Sequence, residues 1–150
     1  MVVLLAPLFL LSSCSTPGGP LVSYYYSNSN SYAGWNTDYY IYEENGTVVA
    51  KVVDYNYADM SFTFEKKDID CKELKWVDSL LNDAGARKWK EDYQPIFEVL
   101  DGDNWSARFE FTDDTVNSGG YMAWPRKDPT REINERIKEL VDYKVPEEMW

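Results

Sequence analysis

The octapeptide Trp105-Ser106-Ala107-Arg108-Phe109-Glu110-Phe111-Thr112 alternates without exception. Trp105, Ala107, Phe109 and Phe111 are apolar; Ser106, Arg108, Glu110 and Thr112 are polar. Successive side chains of a strand point to opposite faces, so this period of two predicts a strand with one face on a core and the other toward water. Asp101-Gly102 reads as the turn before it. Asp113-Asp114 reads as the turn after it, and Thr115 to Tyr121 as the returning strand, weakened by Gly119-Gly120. Upstream, Ile96 to Leu100 is expected to form a strand leading into Asp101-Gly102.

Further back, Asp70 is placed as a helix N-cap, with Glu73 three residues on in the arrangement of a capping box. Ile69 and Leu74 are placed as a hydrophobic staple. Leu74, Val77, Leu81 and Ala84 recur at helical spacing, and Trp76 and Leu80 widen the stripe. Gly85 fits the residue just past the helix end. Trp89, Lys90, Tyr93 and Pro95 close the segment. Nearer the start, Tyr24-Tyr25-Tyr26 reads as a short strand and Ser27 to Ser31 as a polar loop. Tyr39 to Tyr42 reads as a strand, Asn45-Gly46 as a hairpin turn in which both residues tolerate positive φ, and Thr47 to Tyr57 as its partner. Met60 to Glu65 alternates as another strand. After the octapeptide hairpin, Asp128 and Pro129 open a last helix with Ile133, Ile137, Leu140 and Val141 as its stripe, ended by Pro146. This order predicts an α+β domain: an antiparallel sheet of hairpins with two amphipathic helices on one face.

Bulk composition bounds the chemistry. The 150 residues suit one domain. The 44% apolar and 16% aromatic content supports a core. A formal charge of −11 speaks against nucleic acid, whose phosphates need clustered Lys and Arg. The chain has no His, which removes imidazole acid–base chemistry, His-based nucleophile couples and His metal ligands. Any enzyme would rest on carboxylates, Lys, Tyr or Ser.

Val2 to Leu11 is an apolar run of signal-peptide length, shorter than the roughly 20 residues a spanning helix needs. It ends in Leu11-Ser12-Ser13-Cys14, which resembles a bacterial lipobox. The resemblance implies a signal peptide over 1–13, cleavage before Cys14, and lipid (diacylglycerol and an acyl chain such as palmitate) on that Cys. The departure from the pattern is the missing basic residue after Met1. Ser15 to Pro20 is rich in Gly, Pro and small polar residues, so 14–23 reads as a flexible tether and 24–150 as the single folded domain. The implied place is the cell membrane or outer membrane, with the domain outside the cytoplasm. With Cys14 lipidated, Cys71 has no disulfide partner within the mature chain and reads as a small buried side chain.

The second half carries another resemblance. A helix, Trp89-Lys90 and Tyr93, Asp101-Gly102, Trp105 with its alternating strand, Ser118-Gly119 and Pro125 before a helix are similar to a recurrent secreted or lipid-anchored bacterial domain of uncharacterised activity. The likeness spans roughly residues 70 to 142. The turn Asp113-Asp114 lacks the Gly of that pattern, and no activity or catalytic residue is implied.

Candidate sites are few. Ser118, Tyr121 and Trp124 lie in the segment after the hairpin, where exposed aromatics stack on a sugar ring or meet a partner; capping the sheet edge explains them as well. Tyr24, Tyr25, Tyr26, Tyr32 and Trp35 form a second aromatic cluster with the same two readings. Asp101, Asp103 and Asn104 bring oxygens together but lack the closing Glu of a calcium loop, so a hairpin turn is expected and no metal. Adjacent acids such as Glu43-Glu44, Asp113-Asp114 and Glu147-Glu148 point to opposite faces if extended and are read as solvated charge. The expectation is a lipid-anchored envelope protein that binds or scaffolds without catalysis and without a cofactor. Its partners are the membrane through Cys14 and an envelope protein or a glycan. A carbohydrate-binding accessory lipoprotein is the alternative, and a carboxylate-based hydrolase a more remote one.

Overall fold

The computed structural model describes residues 20–30, 33–56 and 60–147. The signal segment 1–13, Cys14 with the tether to residue 19, Ser31, Tyr32, Tyr57 and Glu148 lie outside the described residues. Strands β1 (Leu21–Asn30), β2 (Trp35–Glu44), β3 (Thr47–Asn56) and β4 (Ser61–Ile69) form a meander, followed by helix α1 (Cys71–Asp83) and a 3₁₀ turn at Ala86–Lys88. Then come β5 (Asp103–Phe111), β6 (Thr115–Tyr121) and helix α2 (Thr130–Leu140). All pairings are antiparallel, in the order β4-β3-β2-β1-β5-β6. The α+β expectation holds, and both helices lie on one face.

The octapeptide behaves as its alternation requires. Trp105, Ala107, Phe109 and Phe111 are buried, in register with Tyr24 and Tyr26 of β1 and Val116 of β6. Tyr24 stacks on Phe109 at 5.3 Å and Tyr26 on Trp105 at 5.9 Å. These side chains share one core with Ile41, Val48, Ala50 and Val52 of the sheet, Leu74, Val77 and Leu81 of α1, and Ile133 and Ile137 of α2. Asn45 and Gly46 both take positive φ, +52° and +81°, as the tight hairpin needs.

Several expectations are corrected. Ile96 to Leu100 is not a strand but an open loop. Both sides of β5 are taken by β1 and β6, and Tyr93 occupies the edge of β6 as a parallel bridge to Gly120. The run leading into β5 therefore has no unpaired side of its neighbouring strand to join. Ser27 to Asn30 is not a loop but the end of β1, where β2 and β5 pair with it on both sides. Its polar side chains find partners: Ser27 donates to Asn36 Oδ1 at 3.0 Å and Asn30 to Asp103 Oδ1 at 2.6 Å. β1 also begins at Leu21, inside the segment read as tether, because Leu21 is buried and the Thr112 N–H donates to the Pro20 carbonyl at 3.1 Å.

At α1, Asp70 caps as expected, accepting from the Lys72 N–H at 2.9 Å. Glu73 does not reach back to complete a capping box. Its buried carboxylate instead takes a two-pronged bond from Arg136 of α2, at 2.6 and 3.1 Å, tying the two helices together. Asp128 accepts from the Thr130 N–H at 2.9 Å, and the helix begins at Thr130, one residue later than expected. Cys71 is half-buried and disulfide-bonded, which corrects the expectation that it has no partner; the chain's other cysteine is Cys14.

Candidate functional site

The sheet has two ends with different furniture. Pro20 leaves β1 beside Phe111 and Thr112, near the Asn45-Gly46 and Asp113-Asp114 turns. The other end of β1, Asn30, pairs with Asp103 and Trp35. The ten residues of β1 separate these ends by about 30 Å at roughly 3.3 Å per residue. The far end carries the β1–β2 hairpin, the segment leading into β5, the segment leaving β6 and the start of α2.

The segment leaving β6 is pinned. Gly120 permits this, because a Cβ there would meet the Ala123 carbonyl at 2.5 Å and the Tyr93 carbonyl at 2.9 Å. The Trp105 indole donates to the Ala123 carbonyl at 2.8 Å. The Met122 N–H donates to the Asp103 carbonyl at 3.0 Å. Tyr121 is half-buried, its hydroxyl donating to the Val99 carbonyl at 2.9 Å. Ser118 is buried and donates to the Lys90 carbonyl at 2.6 Å. Ser118 and Tyr121 are thus engaged in holding the 89–102 segment against β6.

Trp124 differs. It is 41% exposed and lines a cavity of about 450 Å³ beneath α2. Its walls are Tyr26, Trp35, Tyr39 and Trp124, and its rim is formed by Asp128, Arg131, Asn134, Glu135 and Lys138. The two aromatic segments singled out in the sequence therefore meet: Tyr26 and Trp35 from the first, Trp124 from the second. Tyr121 does not join Trp124, Tyr24 is fully buried, and Tyr25 lies on the opposite face of the sheet, against Tyr40. A second cavity of about 340 Å³ continues past Trp35, Tyr39 and Lys138 to Thr37, Tyr143 and Val145. The two make one groove along the far half of α2.

The groove is held from below. Tyr26 is buried and lines the cavity with Thr130 and Trp124. Burial pushes its hydroxyl up to about 12, with Thr130 and Trp124 opposing and Asp128 adding to the rise. Tyr24 donates to Asn134 Oδ1 at 2.8 Å. Asp54, fully buried, accepts from Thr37 Oγ1 and from the Tyr143 hydroxyl, both at 2.7 Å. Burial raises the Tyr39 hydroxyl, with Asp54 and Glu135 adding to it. Lys138 pairs with Glu135 at 3.1 Å, and its ammonium sits 5.8 Å from the Tyr39 ring and 5.4 Å from the Tyr143 ring. The rim thus holds two acids and two bases, and both acids are engaged: Asp128 with Thr130, Glu135 with Lys138. Asp128 was legible as a cap; Arg131, Asn134, Glu135 and Lys138 carried no signal beyond the polar face of a helix.

Two other surfaces stand out. A depression on the outer face lies between Tyr25, Arg108, Asn117 and Glu91, with Tyr25 as its one aromatic wall. The loop before β5 exposes Ile96, Phe97 and Leu100 at 95%, 81% and 87%. Among the described residues, no group of three or more acids and cysteines is placed to hold a metal, and no helix is long and apolar enough to cross a membrane. Asp103, read as part of an oxygen cluster, is bonded to Asn30. Comparison with known proteins finds no matching family model, no matching curated protein and no matching solved structure.

Proposed function

We propose that this is a lipid-anchored cell-envelope protein that acts by binding rather than by catalysis. Its anchor enters at one end of the sheet and its binding groove lies at the other. The observation that carries this is the polarity of β1: Pro20 is held beside Thr112, while Trp35, Trp124 and the exposed Ile96, Phe97 and Leu100 belong to the opposite end, about 30 Å away. The lipobox-like Leu11-Ser12-Ser13-Cys14 supports the anchor, and two or three chains on one Cys supply stable attachment. Binding without chemistry is supported by the engagement of both groove carboxylates and by the lack of His.

Lipid on Cys14 and a disulfide between the two cysteines exclude each other, since both consume the Cys14 sulfur. Intact-mass spectrometry of the protein from its host therefore tests the anchor. The expected mass is that of a chain starting at an acylated Cys14, and Cys14→Ala is expected to leave the membrane fraction. A lipid-free mass with both cysteines oxidised, or unchanged fractionation of Cys14→Ala, refutes it.

A further inference from the structure

We propose that the groove between α2 and the β1–β2 hairpin is a site for a neutral oligosaccharide, with Trp124 as its platform. This deepens the reading of the far end as the binding end and rests on it. Trp124 presents 41% of its surface to solvent, yet the backbone just before it is pinned, the Ala123 carbonyl accepting from the Trp105 indole at 2.8 Å and the Met122 N–H donating to the Asp103 carbonyl at 3.0 Å. An exposed ring on a pinned backbone is a preorganised surface, and ordering it costs a ligand little. The cavity size also fits, since about 450 Å³ falls within the range of roughly 300–1,000 Å³ typical of ligand sites, and the neighbouring 340 Å³ extends it along Trp35 and Tyr39.

The chemistry of the lining points to the same ligand. A sugar ring offers C–H faces that are apolar and a rim of hydroxyls that both donate and accept. Aromatic walls take the faces, and a rim with acceptors (Asp128, Glu135) and donors (Arg131, Lys138) takes the hydroxyls. A purely apolar ligand would take the charged rim groups Asp128, Arg131, Glu135 and Lys138 out of water without offering them a bond. The two acids and two bases of the rim balance locally, and the net charge of −11 on the whole chain disfavours an anionic ligand.

The full lipidated chain, extracted in a detergent without a sugar headgroup, should be applied to an array of neutral and acidic oligosaccharides, with calorimetry on the bound ones. The expected result is binding to neutral glycans, weakened about tenfold or more by Trp124→Ala with the melting temperature unchanged. Should Trp124→Ala fail to fold, Arg131→Ala, an exposed rim change, carries the same test. The control Lys67→Ala, an exposed change on edge strand β4, is expected to leave binding as it was. No neutral glycan bound, acidic glycans alone bound, or affinity indifferent to Trp124→Ala and Arg131→Ala would overturn the proposal. Lack of glycan binding with intact Cys14-dependent fractionation sinks the ligand and spares the anchor. Glycan binding with lipid-free Cys14 does the reverse.

Discussion

Replacing Tyr143 by Phe removes one hydroxyl and little else. The ring keeps its edge contact with Phe64 at 5.0 Å and its place beside Lys138. What is lost is the 2.7 Å bond to Asp54, whose side chain is fully buried and has Thr37 Oγ1 as its other partner, also at 2.7 Å. A hydrogen bond to a buried charged acceptor contributes about 1.5–3 kcal/mol, and removing one donor leaves the carboxylate short of a partner it cannot replace from water. Tyr143→Phe should therefore lower the unfolding free energy by about 2 kcal/mol, read as a fall in the urea midpoint at constant slope. A double-mutant cycle with Asp54→Asn assigns the loss: if the bond is the cause, the two changes couple by at least about 0.5 kcal/mol. A Tyr143→Phe cost under about 0.5 kcal/mol, or a cost with zero coupling to Asp54, refutes the reasoning. The consequence reaches the groove, because Thr37 and Tyr143 line its second cavity.

Three further outcomes are expected. Burial raises the hydroxyls of Tyr24 and Tyr39 above their usual range and Tyr26 to about 12, so the folded chain keeps protons that the unfolded chain loses above about pH 10. Stability is thus full below about pH 10 and falls as pH rises; Tyr26 alone accounts for about 2 kcal/mol by pH 12, and a urea midpoint that stays flat over that range contradicts it. Gly120→Ala should cost about 1–3 kcal/mol, since the new methyl meets two backbone carbonyls that cannot swing away; an unchanged thermal melt sinks this. Changing Ile96, Phe97 and Leu100 together to Ser should leave the melt within about 0.5 kcal/mol of the parent while reducing apolar-dye binding; a large loss of stability would mean these side chains are packed.

What could be read from the chain follows from how far each signal reaches. The alternation from Trp105 to Phe111 is a statement about two faces, and it holds because a strand offers no third option once three large aromatic side chains need burial. Asn45-Gly46 and Asp70 are equally local: a turn or cap is made by the residues that name it. Glu73 shows where locality ends. Its spacing from Asp70 is right for a capping box, but Arg136, far along the chain, offers a charge-assisted pair that outcompetes a backbone N–H. Ile96 to Leu100 and Ser27 to Asn30 fail in opposite directions for one reason. Strand formation is decided by the availability of neighbours: the apolar run adjoins β5, whose two sides are already taken by β1 and β6, while the polar one lies between β2 and β5. The groove inherits this non-locality. Trp35 and Trp124 were each visible as aromatics, but their meeting depends on β1 pairing with β5 and β5 with β6, which brings the hairpin end and the segment after β6 to one edge under α2. Ser118 and Tyr121, nearer in sequence to Trp124 than Trp35 is, are spent on carbonyls of the 89–102 segment. The pinning that removes them from the surface is also what holds Trp124 still, so the residues that looked like a site become the support of one.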